Sequence, residues 1–67
     1  PPAEFLMQLR MDKAESLLRE TTFSITEIAN MIGYTDALAF SKMFRKRHGV
    51  SPRQYRTEAK ATRQTNR

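Results

Sequence analysis

Between Ser24 and Gly49 the chain reads SITEIANMIGYTDALAFSKMFRKRHG, and this stretch leaves little choice of local fold. Ser24 and Glu27 make an S-x-x-E capping box, in which each side chain satisfies a backbone amide at a helix start. Ile25, Ile28, Ala29 and Ile32 follow at helical spacing and form one apolar stripe. Gly33 ends that helix, because glycine accepts the positive φ that a helix terminus commonly requires. Asp36 is a natural N-cap for a second helix, predicted over Ala37 to His48, and Gly49 closes it. Two helices that cross closely need a small residue at their contact, and Ala29 lies one turn before Gly33.

The flanking segments read as helices too. Phe5, Leu6, Leu9, Ala14, Leu17 and Leu18 recur at three- and four-residue spacings, the mark of one helix face. Pro2 suits a first helical position, where no amide donor is needed. The pattern predicts a long helix over 2–20, ending before the β-branched pair Thr21-Thr22. Ser51, Pro52 and Gln54 repeat the start signal and predict a short helix around 52–59. The residues from about 60 to Arg67 are polar and basic, and a frayed, disordered tail is expected there. No strand pattern appears, so the expected fold class is all-α.

At 67 residues the chain is one small domain or part of one. It has no cysteine, which excludes both a disulfide framework and a thiolate zinc site. No apolar run is long enough to span a bilayer, and no signal-peptide pattern is present. The first residue is Pro1 rather than Met, and the expectation is a piece of a longer protein. Net charge is +5, unevenly spread. Residues 37–67 carry nine basic groups against the single acid Glu58, whereas residues 1–36 are net acidic. A basic end of this kind is either a solvated surface or the electrostatic footprint of a polyanion partner.

The helical context favours the second reading. Winding Ala37–His48 at about 100° per residue puts Phe40, Met43, Phe44 and the stem of Arg47 on one side. Leu38, Ser41, Lys42 and Arg45 fall on the other, with Ala37 and Lys46 at its edges. The first side is core. The second is polar and cationic, the shape required to enter a DNA major groove. Leu38 is an apolar residue on that outer side, and such a side chain can contact a thymine methyl.

These residues resemble the C-terminal part of an AraC/XylS-type bacterial transcription regulator. The second helix-turn-helix of that family has the pattern I-x-x-I-A-x-x-x-G-[FY]-x-(D/S)-x-x-x-F-x-x-x-F-(K/R)-(K/R)-x-x-G-x-[ST]-P-x-x-[FY]-R. It is matched by Ile25, Ile28-Ala29, Gly33-Tyr34, Asp36, Phe40, Phe44-Arg45-Lys46, Gly49, Ser51-Pro52 and Tyr55-Arg56. Phe5-Leu6, Leu9-Arg10-Met11, Ala14 and Leu17-Leu18 resemble the family's linker helix, so the likeness covers residues 2–56. It implies a homeodomain-like three-helix core with a long preceding linker helix. The division it implies is a linker helix over 1–20, a second helix-turn-helix unit with its closing helix over 21–59, and the basic tail over 60–67. The first unit of the family's pair is then missing, and Pro1 stands where the family has a capping Ser or Thr.

The resemblance further implies that double-stranded DNA is the partner and that helix 37–48 is the recognition helix. Ala37, Leu38, Ser41 and Lys42 would face base edges, and Thr35, Arg45 and Lys46 would lie near phosphates. The Ala37-Leu38-Ala39 run departs from the polar residues often found there. A larger share of recognition is therefore expected from methyl contacts, DNA shape and phosphates. With one unit of two, binding is expected in the non-specific range of roughly 10⁻⁴–10⁻⁶ M. A cytoplasmic, nucleoid-associated location follows from the same resemblance, as does a parent protein that dimerises through a domain outside this chain.

Other functions fit less well. An enzyme is not expected: there is one histidine, no cysteine and no nucleophile paired with a base. His48, near a helix C-terminus, reads as structural. Asp12, Glu15, Glu20 and Glu27 show no metal-ligand grouping, Glu15 and Arg19 read as a helix ion pair, and no cofactor is implied. The main rival is a protein-interaction module that contacts RNA polymerase or another regulator domain, with Met7, Met11 and Met31 as the exposed surface. A basic amphipathic helix on a membrane would need a free apolar face, and here Phe40, Met43 and Phe44 are required for the core.

Overall fold

A computed structural model describes residues 2–65, with side chains placed between residues 3 and 61. Four helices follow one another: α1 (Pro2–Glu20), α2 (Ile25–Met31), α3 (Ala37–His48) and α4 (Pro52–Thr65). No strand occurs among the described residues. Helix α1 packs against α2 and α4, and α3 closes the assembly by packing on both of them.

Local chemistry sets the helix ends. The Ser24 hydroxyl accepts from the Glu27 amide at 3.0 Å, and the Glu27 carboxylate accepts from the Ser24 amide at 2.8 Å. This is the reciprocal capping box expected from the sequence. After α2, the Gly33 amide donates to the Asn30 carbonyl and the Tyr34 amide to the Ala29 carbonyl. These two bonds make a Schellman turn, and Gly33 takes the φ of 103° that it demands. The Asp36 carboxylate accepts from the Leu38 amide at 3.0 Å and starts α3. Gly49, at φ 85°, ends α3 by donating to the Arg45 carbonyl at 2.8 Å.

The second capping box forms by half. The Ser51 hydroxyl accepts from the Gln54 amide, but the Gln54 side chain donates to Glu58 one turn further on. Helix α4 also outruns its expected end near residue 59 and continues to Thr65. The disordered tail expected over 60–67 is thus corrected as far as 65. Lys60, Ala61, Arg63 and Gln64 are strong helix formers, and neither glycine nor proline interrupts them. Residues 66 and 67 lie outside the described residues.

Met11, Ala14, Leu17 and Leu18 of α1 form the core with Ile28, Ala29, Ile32, Phe40 and Phe44. A train of rings runs through it. Tyr34 meets Phe40 at 5.8 Å, Phe40 meets Phe44 edge-on at 5.8 Å, and Phe44 meets Tyr55 edge-on at 5.4 Å. Two expectations about α1 need correction. Met11 is fully buried and Met7 half-buried, leaving only Met31 exposed of the three methionines assigned to a docking surface. Conversely Phe5, Leu6 and Leu9 are exposed, although their spacing marks them as core. The buried part of the α1 stripe begins at Met11, and nearer the start of the helix Phe5, Leu6 and Leu9 face solvent.

Candidate nucleic-acid interface

Helix α3 has two chemically different sides, and the core fixes which one faces out. Phe40 and Phe44 are fully buried, and Met43 is half-buried against them. The opposite side therefore faces solvent. Leu38 is 62% exposed there, and Lys42, Arg45 and Lys46 are exposed beside it. Ser41 is half-buried between them, and Thr35 is exposed in the turn before the helix. Ala37 sits at the border, half-buried and packed on the core cluster, so only part of its surface faces outward. The exposed residue Ala39, which the sequence reading left out of the outer side, lies at its far edge.

The cations of α3 divide by what they touch. Lys42, Arg45 and Lys46 make no ion pair with any described residue, so their charge is directed to solvent. Arg47 is engaged inside the protein. Its guanidinium donates to Glu4 at 3.2 Å and to Gln8 at 3.1 Å, both on α1. His48 packs flat on Phe44, with ring centroids 4.0 Å apart, and its Nε2 meets Glu15 of α1. One more cation outside α3 belongs to the fold: Arg56 of α4 donates to the Leu18 and Thr21 carbonyls at 3.1 and 3.2 Å. Those carbonyls end α1, so Arg56 satisfies acceptors that a helix terminus leaves unpaired.

These tertiary roles escaped the sequence reading. Basic residues on a helix look alike until the opposite element is known. The Glu15–Arg19 pair does form, at 3.7 Å, but within a larger network. Arg19 donates to the Tyr55 hydroxyl at 3.1 Å, and Tyr55 donates to Glu15 at 3.4 Å. The hydrogen bond to Tyr55 raises the Arg19 pKa despite partial desolvation, with Tyr55, Glu20 and Glu15 adding electrostatic support.

The outer side of α3 is also held in place from behind. The Tyr34 hydroxyl donates to the Met7 sulfur at 3.5 Å, tying the turn to α1. The Arg10 guanidinium lies over Gly33, 3.4 Å from where a Cβ would stand. Between α1 and α3 an open cleft of about 430 Å³ is lined by Ala3, Glu4, Met7, Met43, Lys46 and Arg47. No described residues form a metal-ligand cluster, and no described helix is long and apolar enough to cross a membrane.

Comparison with known proteins fits this geometry. A protein-family profile described as a helix-turn-helix domain matches residues 1–58. The chain is 48% identical over 54 residues to the DNA-binding dual transcriptional regulator Rns of Escherichia coli, covering 81% of this chain and 20% of that protein. It is 44% identical over 55 residues to the Msm operon regulatory protein of Streptococcus mutans, covering 82% of this chain and again 20% of the relative. The chain thus spans about a fifth of the length of these curated relatives. Among solved structures, the C-terminal domain of the two-component response regulator yesN from Fusobacterium nucleatum superposes with a TM-score of 0.81 at 39% identity. That match covers 84% of this chain and 54% of the other. With its capped helices, Schellman turn and buried phenylalanine pair, the chain belongs to the AraC/XylS-type helix-turn-helix family.

Proposed function

We propose that this chain is a DNA-binding part of a transcription regulator and that α3 enters the major groove to help control transcription initiation. The observation that carries this reading is the outer side of α3. Leu38, Lys42, Arg45 and Lys46 are exposed, and the three cations have no ion-pair partner among the described residues, while the other side of the helix is fixed to the core. Charge left unpaired on a rigid helix is what a groove lined with phosphates selects. Leu38, Ser41 and Lys42, with the outer edge of Ala37, meet base edges in this reading. Thr35, Arg45 and Lys46 meet phosphates.

Rns is described as a DNA-binding dual transcriptional regulator and the Streptococcus mutans relative as an operon regulatory protein, which supports the same role here. The exposed Phe5, Leu6 and Leu9 support a further helical unit resting on the start of α1, as a paired helix-turn-helix would. A docking surface for RNA polymerase built on methionines loses support, because Met11 is buried and Met7 is half-buried.

NMR titration of the chain with a random-sequence duplex at two salt concentrations tests the reading. Shifts should concentrate on residues 35–46 and weaken steeply as salt rises. Shifts elsewhere, or shifts indifferent to salt, would sink it.

A further inference from the structure

Arg10, Arg19, Arg47 and Arg56 are the half-buried arginines among the described residues. Three of them spend guanidinium donors inside the protein. Arg19 donates to Tyr55, Arg47 to Glu4 and Gln8, and Arg56 to the Leu18 and Thr21 carbonyls. Arg10 has neither a hydrogen bond nor an ion pair with any described residue. Holding a charged group partly out of water without an acceptor costs free energy, and a guanidinium has five N–H donors to satisfy. We propose that Arg10, although it belongs to α1, is a DNA-phosphate contact, set beside the entrance of α3 by the turn at Gly33. This assignment rests on the DNA reading above.

The geometry suits an acceptor from outside. Nη2, Cζ and Nε of Arg10 lie 3.4, 3.5 and 3.6 Å from the place a Cβ on Gly33 would take. Three near-equal distances lay the guanidinium plane flat over the turn. Its N–H groups lie in that plane, so they point past Gly33 and not into it. No buried side-chain nitrogen or oxygen among the described residues lacks a partner, so the Arg10 donors reach solvent.

Nearby acids do not compete for them. Three and four residues from Arg10 on α1 stand Leu6, Met7, Lys13 and Ala14, none of them acidic. Asp36, the acid of the turn, accepts from the Leu38 amide at 3.0 Å and makes no ion pair with Arg10. Thr35 follows Gly33 by two residues, at most about 7 Å along the chain, and the DNA reading puts Thr35 at a phosphate. A phosphate oxygen pair is anionic and takes two parallel N–H donors at once, which matches the planar fork of a guanidinium.

A labelled random-sequence duplex and fluorescence anisotropy across a salt series test the assignment. Arg10→Met keeps much of the stem over the turn and removes the charge. It should flatten the slope of log affinity against log salt by about 0.9, so that the loss of affinity between about 50 and 200 mM salt shrinks about 3.5-fold. Arg10→Lys keeps the charge and should restore the wild-type slope. A guanidinium that only steadied the turn would lower the folding constant in urea and leave the slope unchanged. Side-chain NMR of the wild type needs no variant. The Arg10 Nε–H signal should shift when the duplex is added, whereas that of Arg56, already bonded to the Leu18 carbonyl, should stay in place. An unchanged slope in Arg10→Met beside a flattened one in Arg45→Gln, or an Arg10 signal indifferent to the duplex, would overturn the proposal and leave the DNA reading standing. A wild-type chain that binds no duplex would remove both.

Discussion

Replacing the cations of α3 one at a time separates those that serve DNA from those that serve the fold. Arg45 and Lys46 are exposed and have no partner among the described residues, whereas the adjacent Arg47 is bonded to Glu4 and Gln8. Each phosphate contact contributes about 0.9 to the slope of log affinity against log salt. Arg45→Gln or Lys46→Gln should therefore flatten that slope by about 0.9. Between about 50 and 200 mM salt, the loss of affinity should shrink by a factor of about 3.5 for either single variant and about 12 for the double variant. Arg47→Gln should leave the slope unchanged and instead cost about 0.5–1 kcal/mol of stability, the range for a partly exposed ion pair. Fluorescence anisotropy with a labelled duplex across a salt series measures the slope, and urea unfolding of the same proteins measures stability. A slope change in Arg47→Gln equal to that in Arg45→Gln would refute the division of these cations.

Other expectations concern the scaffold and the one apolar residue of the reading surface. Phe44→Ala removes a fully buried ring that meets Phe40, His48 and Tyr55, and a loss of about 3–5 kcal/mol should leave the chain largely unfolded by circular dichroism. Gly33→Ala and Gly49→Ala should each cost about 1–2 kcal/mol in urea unfolding, because both positions have positive φ. The similarity is itself a test, since an added Cβ at Gly33 meets Arg10 at an ordinary 3.4 Å and one at Gly49 meets nothing. Ser24→Ala breaks the capping box and should cost about 1 kcal/mol, read as a lower midpoint of thermal unfolding. If Leu38 touches thymine methyls, a duplex with uracil in place of thymine should bind wild type more weakly than the thymine duplex, and Leu38→Ser should not tell the two apart.

The helix boundaries around the turn were legible because their causes are local. Ser24 with Glu27, Gly33, Asp36 and Gly49 act through backbone groups a few residues away, so spacing alone reveals them. The two faces of α3 were legible for the same reason, helical periodicity. Depth of burial along α1 was not. Phe5 and Met11 lie on one helix, and nothing in their spacing says that α2–α4 reach the second and not the first. The end of α4 was missed because a polar run without glycine or proline carries no stop signal. The roles of Arg47, His48 and Arg56 depend on partners more than thirty residues away, so charge patterning could not separate them from Lys42 or Arg45. Ala37 was placed on the outer side by its edge position alone, and the packing of α3 turns part of it inward.

The bonds from Arg56 to the end of α1 bear on how the chain comes apart. Leu18 and Thr21 lie in the first third of the sequence, and Arg56 lies on the last helix, so one guanidinium joins regions that local fraying would otherwise release separately. Melting the start of α4 uncaps α1, and fraying α1 removes the acceptors that hold Arg56. Cutting the chain before residue 56 should therefore loosen α1 as well as shorten α4. Amide protons at the end of α1 and the start of α4 should exchange with solvent together, as parts of one cooperative unit.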